Sequence, residues 1–118
     1  MAIGLQAENA AVAYLEAQGV RILLRNYRCR LGELDIVAQL GAGELAIIEV
    51  RTRSSSAYGG AAASVDAGKR QRLVRAASRL LQQRRDLARL RARFDVIVVT
   101  DPFGDAPHIQ WIQHAFSA

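Results

Sequence analysis

Apolar and polar positions follow two rhythms along this chain. Leu5, Val12 and Leu15 recur at helical spacing and Gly19 follows as a stop, which predicts a helix over residues 4–18. Residues 20–28 mix apolar and basic side chains in a strand-like way, Gly32 breaks them off, and a second strand is expected over 34–38. Gly41-Ala42-Gly43 is a hairpin signal, after which Leu45-Ala46-Ile47-Ile48 and Val50 read as a strand buried on both faces. The order to this point is αβββ.

From Arg53 to Ser64 the composition shifts to Ser, Gly and Ala around Tyr58-Gly59-Gly60, which marks a loop. Ser64 is placed to cap the next helix, whose apolar face of Leu73, Ala77, Leu80 and Leu81 lies opposite Arg72, Arg75 and Arg79. Residues 94–100 form an apolar strand ended by Asp101-Pro102, and 108–113 alternate as a last strand. A helix between the third and fourth strands is a crossover, so the fourth strand should run parallel to its neighbour. The expectation is an α/β fold with a mixed sheet.

Length and composition add that 118 residues, 51% of them hydrophobic, suit one domain spanning 1–118. No stretch approaches the roughly 18 apolar residues of a membrane span and the first residues lack a leader pattern, so a cytoplasmic protein with no membrane partner is expected. The single cysteine, Cys29, has no disulfide or zinc partner and reads as an ordinary strand or turn residue.

The net charge of +5 is unevenly spread. Residues 1–65 hold six basic side chains and six acids, whereas 66–93 hold ten basic side chains against Asp66 and Asp86. Such a segment is either a solvated helix face or a surface for a polyanion such as nucleic acid.

Candidate chemistry lies where carboxylates interrupt apolar strands. Glu49 ends the run AIIE and Asp35 sits in LDIV. With the hairpin centred on Ala42, opposed positions have numbers that sum to 84, which sets Asp35 against Glu49 and Glu33 against Arg51. Cβ atoms of direct cross-strand neighbours are about 4.5–5.5 Å apart, so two like charges there need a divalent cation or a shared proton. Glu8 lies within the apolar stripe of the first helix, either paired with an arginine at the core edge or facing the same site. Arg51 has two readings as well: an ion pair with Glu33, or a group that holds a phosphate. His108 and His114 lack a helical ligand spacing and suit an ordinary edge strand, while Trp111 and Phe116 read first as core or interface residues.

These residues carry a resemblance. Glu8, Gly32-Glu33-Leu34-Asp35, Glu49-Val50-Arg51, Tyr58-Gly59-Gly60, Lys69, Arg93-Phe94-Asp95-Val96 and Ala115-Phe116 together resemble the YraN family of small bacterial proteins over nearly the whole chain. That family is similar to the PD-(D/E)XK nuclease superfamily, in particular to archaeal Holliday-junction resolvases, which implies a restriction-endonuclease-like αβββαβ core. By that resemblance Asp35 and Glu49 are ligands of Mg²⁺ or Mn²⁺, Glu8 is the first-helix acid, Arg51 stands in the place of the superfamily lysine, and Lys69 faces the same cleft. Arg53, Tyr58, Arg70, Arg72, Arg75 and Arg79 are then expected to hold DNA phosphates. The implied activity is phosphodiester hydrolysis in branched or distorted DNA, and a homodimer is expected on the same ground. One departure matters: arginine stays charged where a lysine could exchange a proton. Two classes therefore stand, a metal-dependent endonuclease and a catalytically inactive nucleic-acid-binding module of the same fold, with a protein-interaction domain as a third.

Overall fold

The computed structural model describes residues 2–53 and 65–118. Helix α1 (Ala2–Ala17) leads into β1 (Arg21–Cys29), β2 (Gly32–Leu40) and β3 (Glu44–Arg53). Helix α2 (Ala67–Gln83) and the single turn α3 (Arg85–Ala88) then precede β4 (Arg91–Thr100) and β5 (His108–Phe116). The expected α/β class and αβββαβ order are present, with β5 as an added edge strand. The strands outrun their apolar segments because polar residues at their ends, such as Glu44 and Arg91, still pair across the sheet.

The five strands lie in the order β1-β2-β3-β4-β5. The first three form an antiparallel meander, β3 and β4 are parallel as the crossover requires, and β5 returns antiparallel to β4. Ile36 opposes Ile48 and Leu40 opposes Glu44, so the hairpin has the register expected from Ala42 at its centre.

Helix α1 covers one face of the sheet, burying Ala7, Ala11 and Leu15 against Ile36, Ala38, Ala46, Ile48, Ile97 and Val99. This corrects the expected stripe, since Leu5 is 58% exposed. Ala7 and Ala11, four apart, let the helix lie close to the small Ala38 and Ala46, and Leu15 one turn on fills the same face. The helix ends as a Schellman turn: Val20 N–H donates to the Leu15 carbonyl at 3.0 Å and Gly19 takes φ +84°.

Helix α2 covers the opposite face through Leu73, Ala76, Ala77 and Leu80, with Leu81 only partly buried. Arg72, Arg75 and Arg79 are exposed, as expected, Arg75 on the far side and Arg72 and Arg79 on a flank. Asp66, not Ser64, caps this helix, its Oδ1 accepting the Lys69 N–H at 2.9 Å. Ser64 lies outside the described residues. No helix among the described residues is long and apolar enough to cross a membrane.

A buried ion network ties β4 to β5. Asp95 accepts from Arg93 Nη2 at 2.9 Å, from Trp111 Nε1 at 2.9 Å and from the His114 N–H at 3.0 Å. Arg93 also reaches Gln113 at 2.9 Å and Glu44 at 3.3 Å, and its guanidinium lies 6.0 Å from the centre of the Trp111 ring. Trp111 and Phe116 are thereby structural, Phe116 stacking on Phe94 with ring centres 4.9 Å apart. Asp95→Ala removes one side of a buried pair and leaves the Arg93 charge under-compensated. It should lower unfolding stability by about 3–5 kcal/mol in urea titrations followed by Trp111 fluorescence; a loss below about 1 kcal/mol would show that the network does not hold β5.

Candidate functional site

Strands β2 and β3 pair only between Ile36↔Ile48 and Leu40↔Glu44. Past that point β2 stays with β1 as far as Gly32, and β3 stays with β4 as far as Arg53, so the sheet forks. Asp35 and Glu49 are the first residues on the two arms. The Val50 N–H donates to Asp35 Oδ2 at 2.9 Å, a carboxylate standing where a continued ladder would present a main-chain carbonyl.

A kink in β1 and β2 aims Asp35. Asn26 faces Asp35 in the β1–β2 register, between Arg25↔Ile36 and Tyr27↔Leu34, and takes φ +55°, a conformation asparagine tolerates better than most residues. Leu34 and Val37 both pack on the α2 side, although Ile36 between them packs on the α1 side. Ordinary alternation would have put Leu34 with Ile36. The reset turns Arg25, Asn26 and Asp35 toward α1.

There Glu8, 7% exposed, accepts from Arg25 Nε at 2.8 Å and from Asn26 Nδ2 at 3.0 Å, with Arg25 Nη2 at 2.7 Å. Both readings of Glu8 hold in part. It pairs with an arginine at the core edge, and it lines, with Asn26, Glu33, Asp35, Val50 and Thr52, a cleft of about 500 Å³. Glu49, 6% exposed, faces α2 instead: Lys69 Nζ is 3.3 Å and Arg51 Nη1 is 3.8 Å from its Oε2. The two acids neighbour each other through the fork, close enough for the charge of Glu49 to act on Asp35.

Burial, and next the charge of Glu49, push the Asp35 carboxyl up to about 7, while the Val50 N–H and Lys69 act in the opposite direction. Neighbouring carboxyls are hard oxygen donors that fit a divalent cation in place of a proton, Asp35 offered from the cleft and Glu49 from the α2 side. Among the described residues no three acid, histidine or cysteine side chains cluster closely enough to hold a metal ion, so Glu8 neighbours the pair without completing a three-acid cage.

The remaining expected residues divide. Arg51 is beside Glu49 and not paired with Glu33, which is taken by Arg28 of β1 because that residue lies directly opposite it. Arg53 donates to Thr100 Oγ1 at 3.1 Å on the neighbouring strand. Arg70 is turned away from Arg72, Arg75 and Arg79: its Nε donates to the Val65 carbonyl at 2.6 Å and its guanidinium lies over the Phe116 ring. Tyr58 lies outside the described residues. Sequence reasoning missed Arg25 and Asn26; the signal was an asparagine inside the strand RILLRNYRC, a residue type that strands disfavour.

The sign of the Asp35 shift sets a pH dependence. A folded-state pKa of about 7 against an ordinary 3.8 means that the folded protein holds a proton the unfolded chain has released, so stability falls as pH rises from about 4 through about 7. With a chelator present, the urea midpoint should drop between pH 5 and pH 8, and Asp35→Asn should lose that part of the drop. Equal drops in the two proteins would remove the evidence for a coupled carboxyl pair.

Comparison with known proteins places the chain in a family. Residues 7–99 match the family described as "Uncharacterised protein family UPF0102", a span that includes Glu8, Asp35, Glu49, Arg51 and Lys69. The chain is 46% identical to a UPF0102 protein of Pseudomonas aeruginosa over 98% of its own length and 92% of that protein. It is 46% identical to one of Methylobacillus flagellatus over 98% and 97%, and 44% identical to one of Saccharophagus degradans over 97% and 92%. With the family match over most of the chain and these relatives over nearly all of it, the chain belongs to the YraN-like family UPF0102.

Proposed function

We propose that this protein is a divalent-metal-dependent endonuclease of the PD-(D/E)XK type that acts on branched or otherwise distorted DNA. The observation that carries the reading is the fork: it opens the sheet where two acids on apolar strands neighbour each other, and sets Lys69 and Arg51 beside Glu49. The αβββαβ order supports the same reading.

Asp35 and Glu49 would hold the cation, which when bound supplies positive charge to a phosphodiester and acidifies water near neutral pH. Lys69 answers the departure at Arg51. An ammonium 3.3 Å from Glu49 can orient water and exchange a proton, whereas Arg51 can only position and stabilise negative charge. Glu8, fixed by Arg25 and Asn26, holds polar groups on the far wall of the cleft. Arg72, Arg75 and Arg79 contact backbone phosphates, which carry no base identity, so recognition is by shape. Cutting both strands of a junction calls for two sites, and a homodimer belongs to the reading.

Mn²⁺ titration by calorimetry should show binding that Asp35→Asn/Glu49→Gln abolishes. Labelled four-way, flap and linear DNA should then be cut in the order branched before linear, with cleavage abolished by chelator. Equal metal binding by both proteins overturns the site, and salt-sensitive DNA binding without cleavage in any divalent metal leaves an inactive binding module. Lys69→Met should slow cleavage by about 100-fold or more while Mn²⁺ affinity changes little; an unaffected rate would return the lysine role to Arg51.

A further inference from the structure

Helix α2 carries polar residues on both flanks of its buried face. At about 100° per residue, Lys69, Arg72, Arg79 and Gln83 fall within about 80° of one another. This flank faces the β1–β2 hairpin. A Cβ at Gly32 would sit 3.0 Å from the Arg72 carbonyl oxygen, and Tyr27 Oη donates to Gln83 Oε1 at 2.7 Å. Between the hairpin turn and the end of the helix lies an open groove of about 520 Å³, lined by Cys29, Arg30, Leu31, Arg79, Gln82 and Gln83. It presents two guanidiniums and two carboxamides and no carboxylate. Among the described residues no acid forms a salt bridge with Arg30 or Arg79.

The spacing along the helix relates this groove to the carboxylates. At about 1.5 Å per residue, Arg79 is about 15 Å and Gln83 about 21 Å along the axis from Lys69, which touches Glu49. One strand of B-DNA rises about 3.4 Å per nucleotide, so those lengths correspond to about 4–6 nucleotides.

We propose that the groove is a second DNA-backbone site, in which Arg30 and Arg79 grip phosphates about 4–6 nucleotides from the one held at Asp35 and Glu49. The inference rests on the nuclease reading for the position of that first phosphate. Guanidiniums give charge-assisted bonds to phosphate oxygens, and the Gln82 and Gln83 amides add neutral donors from the helix end. Lys69 and Arg72 on the same flank mark the path of the strand.

The test measures binding in chelator to a four-way junction by fluorescence anisotropy across a salt series, with phosphate-ethylation interference to locate the contacts. The Arg30→Ala/Arg79→Ala protein is compared with Arg21→Ala/Arg91→Ala, which has the same charge and alters exposed residues at the other end of the sheet. The groove variant should lower the slope of log K against log salt by about 2. It should also lose one cluster of interference about 4–6 nucleotides from a second cluster, contacted by Lys69 and Arg51, that it keeps. Equal slope losses in the two variants, or an unchanged interference pattern, overturn the groove. Absence of DNA binding by the unaltered protein at low salt overturns the groove and the nuclease reading together. The expected binding results without cleavage in Mn²⁺ support the groove and remove only the nuclease reading.

Discussion

The Asp35 carboxylate takes the Val50 N–H, and the pairing of β2 with β3 ends there. Were that N–H bonded to a main-chain carbonyl, the hairpin could zip on toward Glu33 and Arg51 and leave no opening. The fork does not spread further because each arm is held on its outer side: β2 by β1 down to Gly32, and β3 by β4 along its whole length. One side-chain hydrogen bond thus converts the end of a hairpin into a cleft, and the fixed outer strands keep its walls in place.

The treatment of the acids around the sheet differs in a way that separates structure from candidate chemistry. Asp95, 1% exposed, receives three donors and bridges two strands. Glu8 receives Arg25 and Asn26, and Glu49 has Lys69 and Arg51 nearby. Asp35 receives one backbone N–H and faces a second carboxyl, so burial and like charge raise its pKa. A buried acid that served the fold alone would be expected to look like Asp95, since an unmatched charge in the interior is costly. The under-compensated charge is concentrated at the fork, where an incoming cation would lower the energy most.

Much of this was readable in the sequence where one rule acts alone. The glycine-rich turn fixed the hairpin register, and the run from Leu45 to Val50 showed a strand buried on both faces. The phase of α1 was less legible: the pattern weights large residues, but close packing on Ala38 and Ala46 selects Ala7 and Ala11 and leaves Leu5 outside. Partner choice was also hidden. Glu33 has Arg28 opposite it on β1, and the fork removes Arg51 from reach; strand alternation knows nothing of a fork that a side chain creates. The kink at Asn26 belongs to the same class, because it depends on two strands shifting together. Asp95 interrupts the apolar strand 94–100 as Asp35 and Glu49 interrupt theirs, and only the covering of β5 and the donors from Arg93, Trp111 and His114 set it apart from them.

Helix α2 joins these separate features into one rigid unit. Its first turn is fixed through Lys69, whose N–H is held by Asp66 while its ammonium reaches Glu49, so the cap and the candidate site share a residue. Leu73, Ala76, Ala77 and Leu80 then lock the helix to the sheet, and the tight approach of Gly32 to the Arg72 carbonyl sets its position against the hairpin. A shift of the helix by one residue would move Lys69 about 1.5 Å along the axis and rotate it about 100° away from Glu49. The arginine flank would rotate with it. The distance between the carboxylates and the basic surface is therefore a property of helix packing rather than of flexible side chains, and a ligand spanning both meets a spacing set in advance by the core.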